Sequence, residues 1–330
     1  MATIGGTKIT LSDLLKTLDP DGSPARIAEI LMRTESMLED FSVMEANGIT
    51  SHRSTQRVGL PTATARKLNQ FVAPSKGAKA QVDDSIAEFT SNYEIDKSLW
   101  ALNGFKDQWF VDNQKEHVQA LSHKVADTII YGNTNTAPEE FLGLQVRYND
   151  LAAANADNIV TGGGAGSDNT SIWLVSSGPE RTSLIFPKGS QAGIEMSPPR
   201  LETIRDSTGA VMEGYVGFFY WKTGLAVSDW RYVVRGANID RSDLTPNAAT
   251  GANLVNIMID MMHLLPSDAG NMTFYVNRTI EAFLHKQVTN KANVWISRDE
   301  MKGSSGKMLT FEGIPVRRAD AILNTEATVS

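Results

Sequence analysis

The sequence of 330 residues contains no cysteine. This absence excludes a disulfide framework, thiol catalysis and cysteine-ligated zinc. No apolar run reaches the roughly 18 residues that a membrane span needs, and the N-terminus lacks the apolar core of a signal peptide. The formal net charge of −7 argues against a dedicated nucleic-acid-binding domain. Because one hydrophobic core stops growing near roughly 250–300 residues, we expect two lobes or one elaborated domain.

The motifs of common enzymes are missing as well. In the segment most similar to a phosphate-binding loop, Met301 stands where the first glycine is required and Met308 where a serine or threonine is required. The histidines are scattered, and His117 and His123 lie on different faces of a predicted helix. No nucleophile elbow of the Gly-x-Ser-x-Gly type occurs. We therefore expect no catalytic residue, no cofactor and no metal ligand.

Acidic residues are absent from residues 46–82, although the chain as a whole is acidic. The rest of the chain therefore carries a net charge of −13. A long segment with little apolar periodicity is either functional or mobile, and its charge suggests an acidic surface to lie on. A neighbouring subunit, nucleic acid and solvent remain open as its surroundings. Its basic residues are Arg53, Arg57, Arg66, Lys67, Lys76 and Lys79.

An amphipathic helix is predicted near the N-terminus. Ser23 is a good N-cap and Pro24 a good first helical residue. The apolar stripe of this helix packs either on its own chain or on a neighbouring subunit, because a short helix is marginal alone. The stripe consists of Ile27, Ile30, Leu31, Leu38 and Phe41.

The strongest helical pattern covers residues 105–131, with Val118, Leu121 and Val125 in one stripe. Such a helix is about 40 Å long, and Gly132 is suited to end it. Other patterns predict a strand at 93–99, a short helix at 139–146, a flexible stretch at 152–170, a hairpin of 212–221 with 225–235, and buried or amphipathic helices at 254–265 and 278–288.

Several strings in this order resemble the major capsid protein of tailed bacteriophages, in the short-tailed branch. Residues 126–132 and 138–144 look like the end of the spine helix of that family and the segment that follows it. The other similar strings are residues 185–190, 224–232, 275–278 and 311–316.

The resemblance implies an α+β fold of the Hong Kong 97 type, with a long spine helix in a peripheral domain and an axial domain of mixed sheet and helices. The implied divisions are an N-terminal arm at 1–45, an extended loop with its strands at 46–97, a peripheral domain at 98–147 and 200–236, and an axial domain at 148–199 and 237–330.

The implied function is a structural subunit that forms pentamers and hexamers of an icosahedral phage head around double-stranded DNA. The arm stripe and the six basic residues of 46–82 are then candidate subunit contacts. No long helical segment precedes the arm, so the resemblance implies a separate scaffolding protein. A portal and a cement protein are further implied partners, and the implied locations are the virion and, during assembly, the host bacterial cytoplasm. An encapsulin-like shell and an enzyme with an unrecognised site are the alternatives.

Overall fold

The computed structural model describes residues 35–102, 107–205, 208–246, 251–289, 296–300 and 307–330. The helices in these ranges are α1 (Met37–Asp40), α2 (Lys97–Leu102), α3 (Asp107–Tyr131), α4 (Leu144–Arg147), α5 (Leu254–Leu264) and α6 (Arg278–Thr289). The strands are β1 (Val43–Glu45), β2 (Ser51–Gly59), β3 (Ala78–Asp96), β4 (Ile159–Thr161), β5 (Asn169–Ser176), β6 (Thr182–Phe186), β7 (Ile194–Met196), β8 (Arg200–Arg205), β9 (Val211–Val227), β10 (Val233–Asp240), β11 (Met272–Val276), β12 (Ile296–Glu300), β13 (Lys307–Phe311) and β14 (Ile314–Arg318).

The chain divides into two compact units. Within the described residues, the smaller unit comprises 88–125 and 193–222, and the larger comprises 35–87, 126–192 and 223–330. The long strands β3 and β9 contribute residues to each unit. The predicted division into arm, extended loop, peripheral domain and axial domain stays a prediction.

The core of the larger unit is a seven-stranded sheet in the order β12-β13-β14-β11-β5-β10-β4. The interior strand β5 is buried at every position, so both faces of the sheet are covered there. Helices α5 and α6 contribute to the apolar cluster on one face. The two predicted helices here, 254–265 and 278–288, are confirmed to within one residue at their ends. The cluster includes Ile172, Leu174, Val234, Ile257, Met258, Met261, Phe274, Ile280 and Leu284.

A glycine in strand β10 sets how closely α5 packs on this sheet. A Cβ added at Gly236 would lie 3.0 Å from Cγ2 of Ile257 and 3.1 Å from Sδ of Met261. Both distances are shorter than an ordinary van der Waals contact, so a side chain at this position would crowd the helix.

We expect Gly236→Val to destabilise the larger unit by about 1–3 kcal/mol, because the added side chain overpacks the contact with α5. Gly59→Val is the matched control in another strand, since a Cβ at Gly59 would meet Cβ of Ala78 at an ordinary 3.4 Å. Denaturant unfolding of both full-length variants measures the difference. Equal unfolding midpoints for the two variants would contradict the close packing described above.

The other sheet runs in the order β1-β6-β9-β3-β2, with β7 and β8 also paired to β9. The predicted hairpin of 212–221 with 225–235 is wrong, because Val211–Val227 is one continuous strand of 17 residues. The turn signal at 222–224 was misleading. A Cβ at Gly224 would clash with the backbone oxygen of Ser85, so this glycine permits close approach of β3 rather than a reversal of the chain.

The long helix predicted at 105–131 is confirmed as the single helix α3, which is 25 residues and about 37 Å long. In the smaller unit it packs on strands. The ring of His117 stacks on Phe219 of β9 with centroids 5.6 Å apart, and its Nδ1 lies 2.7 Å from Oγ of Ser91 in β3. Leu121 and Val125 of the predicted stripe are buried.

Three local predictions were wrong. The strand predicted at 93–99 begins at Ala78 in the structure. Its first residues are mostly polar and give no apolar pattern, and they are held in the strand by pairing with β2. The helix predicted at 139–146 is reduced to Leu144–Arg147, because the Gly143 backbone N–H donates to the Gly132 oxygen at 2.8 Å and holds the preceding chain outside a helix. The stretch 152–170 contains strand β4, which pairs in parallel with β10.

Candidate subunit-contact surfaces

Strand β2 pairs with the first residues of β3, and together they form an antiparallel hairpin that includes most of residues 46–82. Arg53 lies opposite Asp83, and its guanidinium donates two hydrogen bonds of 2.7 Å to the carboxylate. These hydrogen bonds lower the pKa of Asp83 below its usual range. Both side chains are exposed. One of the six predicted contact residues is therefore already paired with a carboxylate of its own chain.

The other basic residues of this hairpin have no such partner. Arg57 lies directly opposite Lys79 in the β2–β3 ladder, and like charges in that position repel each other. Among the described residues, no carboxylate forms an ion pair with the remaining five. These five are Arg57, Arg66, Lys67, Lys76 and Lys79. The exposed positive charge is therefore available to an acidic surface outside the described chain.

The connection between the two strands, residues 60–77, is exposed at every position and carries large apolar side chains. A turn at its tip is held by a hydrogen bond from Gln70 N to Lys67 O at 3.2 Å, and Asn69 takes a positive φ of 64°. On this turn Leu68 is 95% exposed and Phe71 is 100% exposed. Large apolar side chains this exposed, three residues apart on an exposed loop, are candidates for an interaction surface. We name residues 60–77 the hairpin tip.

The base of the same hairpin is buried. Asp84 follows Asp83 on the strand and therefore points to the opposite face. Its Oδ1 lies 2.6 Å from Nη2 of Arg147, and its Oδ2 accepts the backbone N–H of Val227 at 3.1 Å. Arg147 also donates to the backbone oxygen of Leu142. Asp84 is 2% exposed, so this pair joins the hairpin to the rest of the larger unit in a place where water does not compete.

A second buried pair holds the C-terminal segment of the larger unit. Arg235 donates to Glu326 at 2.8 Å, and both side chains are 1% exposed. Ser171 and Tyr131 also donate hydrogen bonds to Glu326. Burial and this carboxylate raise the pKa of Tyr131, so its hydroxyl stays protonated and donates. The guanidinium of Arg235 stacks on Trp173, with Cζ 5.2 Å from the ring centroid.

The end of the predicted arm packs on its own chain. Phe41 stacks on Tyr275 with centroids 6.0 Å apart, and Ser36 donates to the backbone oxygen of Arg318 at 2.8 Å. Asp40 pairs with Arg317 at 2.9 Å. Leu38 is half-buried beside them. The other predicted arm contacts, Ile27, Ile30 and Leu31, lie outside the described residues, and the arm contact with a neighbouring subunit stays a prediction.

Two cavities bear on the enzyme alternative. One of about 520 Å³ in the smaller unit is lined by Val118, Met196 and Phe219, with Lys115 as its charged residue. The other, about 560 Å³ in the larger unit, contains Asp40, which is paired with Arg317. Within the described ranges, no three His, Cys, Asp or Glu side chains converge on a metal position. No helix in the same ranges is long and apolar enough to cross a membrane.

The sequence profile of the major capsid protein GP7 family matches residues 19–330. The chain belongs to this family. A chain in the near-atomic cryo-EM structure of bacteriophage Epsilon15 is 33% identical, covers 100% of this chain and 99% of its own length, and superposes with a TM-score of 0.80. The capsid of bacteriophage JBD30 shares the fold, at 12% identity and a TM-score of 0.50, over 88% of this chain and 91% of its own. No curated protein matches.

This membership confirms the resemblance to tailed-phage capsid proteins and the α+β fold of the Hong Kong 97 type. The capsid protein is a structural subunit of a phage head, and it assembles with copies of itself into the shell of the virion.

Sequence reasoning placed the basic residues on the hairpin but missed two features of it. Leu68 and Phe71 were passed over because single apolar residues in a loop carry no periodic signal. Asp84 was not singled out, because Asp83 and Asp84 are adjacent in sequence and adjacent carboxylates on a strand do not converge on one site. The alternation of a strand was the available signal, since it sends Asp83 and Asp84 to opposite faces.

We expect Asp84→Ala to destabilise the larger unit by about 3–5 kcal/mol, because it leaves the Arg147 guanidinium buried without its counter-charge. Asp83→Ala is the matched control on the next residue, and removing its exposed pair with Arg53 changes stability little. Thermal unfolding of the unassembled full-length variants measures both effects. An equal loss for the two variants would show that the buried pair does not anchor the hairpin.

Proposed function

We propose that the capsid protein forms pentamers and hexamers of an icosahedral head, and that the hairpin tip docks on a neighbouring copy. The observation that carries this proposal is the complete exposure of Phe71 and the nearly complete exposure of Leu68 on a hydrogen-bonded turn. Burying one such side chain stabilises a contact by roughly 1.5–3 kcal/mol. The same contact recurs in every subunit of a symmetric shell.

Charge on the hairpin has a different effect from its apolar tip. The five basic side chains without a carboxylate partner face solvent, and exposed charge pairs are weak and screened by salt. Opposite charges on a neighbouring copy therefore set the orientation of docking more than its strength. The acidic remainder of the chain supplies such charges, since it carries −13.

The N-terminal arm supplies a second contact in this proposal. Ile27, Ile30, Leu31 and Leu38 pack on an adjacent subunit, and the buried Met37 and Phe41 hold the end of the arm on its own chain. An extension fixed at one end is suited to reach a neighbour without loosening its own fold.

The partners and location follow from the same proposal. The shell encloses double-stranded DNA, which it contacts without sequence preference, and its net negative charge limits adhesion to phosphates. A separate scaffolding protein directs assembly in the host bacterial cytoplasm. A portal occupies one vertex, and a cement protein is a candidate for the outer surface. No catalytic step is part of this function.

Replacing both apolar residues of the hairpin tip, in Leu68→Ser/Phe71→Ser, should reduce the yield of closed shells more than Arg66→Gln/Lys67→Gln at moderate salt. The physical reason is that hydrophobic burial survives ionic screening and exposed charge pairs do not. Electron microscopy counts the particles formed by each variant. Leu31→Asp tests the arm in the same assay, with Arg57→Ala as its charge-removing counterpart.

Circular dichroism of the unassembled chains is the control for folding. Normal shells from the apolar double variant, with assembly lost in the charge variant, would overturn the apolar contact and make electrostatics the main interaction.

A further inference from the structure

Residues 323–330 lie as a strap across the larger unit, and we name them the C-terminal strap. The backbone N–H of Glu326 donates to the Asn169 oxygen at 2.9 Å. The side chain of Asn238 accepts the Val329 backbone N–H at 2.8 Å and donates to the Val329 oxygen at 2.9 Å. Val329 is the buried apolar side chain of the strap, so hydrogen bonds rather than extensive apolar packing hold this segment. Segments with few buried apolar contacts open more easily than a core.

One carboxylate closes the strap on the elements beneath it. The side chain of Glu326 accepts hydrogen bonds from Arg235 at 2.8 Å and from Tyr131 at 2.6 Å, and Ser171 donates to it as well. The Tyr131 hydroxyl accepts the backbone N–H of Leu323 at 2.8 Å. Tyr131 ends α3 and Arg235 belongs to β10, so Glu326 joins the strap to a helix and to the sheet at one buried point.

The guanidinium of Arg235 continues the connection to the anchor of the hairpin. Its Nη1 donates to the backbone oxygen of Tyr148 at 2.6 Å, and Tyr148 follows Arg147 directly in the chain. The backbone oxygen of Arg147 accepts Nδ2 of Asn155 at 2.7 Å. These two bonds hold the backbone that carries the Arg147 side chain, and this side chain pairs with Asp84 at the base of the hairpin. Arg235 thus lies between the strap and the hairpin anchor.

We propose that Arg235 is a positioning residue, through which closure of the C-terminal strap fixes the base of the hairpin. Glu326 holds the guanidinium where Nη1 reaches the Tyr148 oxygen. Without this carboxylate, a guanidinium buried against Trp173 lacks its counter-charge and moves toward water. The Tyr148 oxygen then loses its donor, and the backbone beside Arg147 loses one of its two supports. Opening of the strap therefore loosens the hairpin anchor.

The two buried ion pairs are coupled in this proposal. Substitutions at independent sites have additive effects, whereas residues that share a hydrogen-bond network do not. Arg235–Glu326 and Arg147–Asp84 share the peptide that joins Arg147 to Tyr148. Breaking either pair should therefore loosen the other. The coupling is a property of the unassembled chain, so it stands or falls separately from docking of the hairpin tip on a neighbouring copy.

Hydrogen exchange of the unassembled full-length chain, measured by mass spectrometry, tests the coupling. Glu326→Gln keeps the size of the side chain and removes its charge. Exchange should rise in the strap, and it should rise about tenfold at the Val227 amide, the scale of one lost hydrogen bond to a charged group. This amide donates to Asp84 and reports on the hairpin anchor. Glu312→Gln, on an exposed turn, is the matched control and should change neither.

Asp84→Asn tests the same coupling in the opposite direction, with Asp83→Asn as the matched control on the exposed neighbour. The strap amides of Glu326 and Val329 should exchange faster in Asp84→Asn and not in the control. In the double variant Asp84→Asn/Glu326→Gln, the strap should exchange no faster than in Glu326→Gln alone, because the connection is already broken there. Peptides from α5 and α6 report on the core and should change little in all of these variants.

Three results would overturn the proposal. Faster exchange of the strap in Glu326→Gln, with the Val227 amide unchanged, would show that the strap opens without effect on the hairpin anchor. An unchanged strap in Asp84→Asn would show the same from the other side. An equal rise in the strap, at Val227 and in the core helices would show a general loss of stability rather than a specific connection through Arg235.

Discussion

The position of the hairpin depends on one buried ion pair. Asp84 lies in β3 at the base of the hairpin and accepts hydrogen bonds from Arg147 and from the backbone of Val227. A buried charge pair of this kind adds little net stability compared with apolar packing, but it is costly to break and strict in geometry. It therefore fixes where the hairpin extends from the rest of the larger unit and sets the direction of the exposed residues farther along the hairpin.

A fixed base and an exposed apolar tip serve assembly together. Ordering a free loop on contact with a neighbour costs conformational entropy, which reduces the affinity. The paired strands β2 and β3 and the turn at Lys67–Gln70 order much of the hairpin before contact. More of the free energy of burying Leu68 and Phe71 is then available to hold subunits together. The stability of the unit itself comes from elsewhere, from the apolar cluster around β5, β10, α5 and α6.

Elements with a strong periodic pattern could be predicted from the sequence, and so could the family. Helix α3 has apolar residues at helical spacing, helix α5 is apolar nearly all round, and the acid-free run 46–82 marked the hairpin. The continuous strand β9 could not be predicted, because Gly224 carries the signal of a turn and its actual role is a close approach to the backbone of Ser85. The buried role of Asp84 depends on Arg147, far away in the sequence, and no local pattern reveals such a pair.

The central claim is that a neighbouring copy covers the hairpin tip in the shell. Because the chain has no cysteine, Leu68→Cys introduces a single thiol at the tip and keeps Phe71. The rate of thiol labelling can then be compared between unassembled chains and closed particles, with denatured protein as the reference for full reactivity. We expect rapid labelling of the unassembled chain and strong protection in particles. Equal labelling rates in the two states would show that the tip stays in solvent and would contradict the claim.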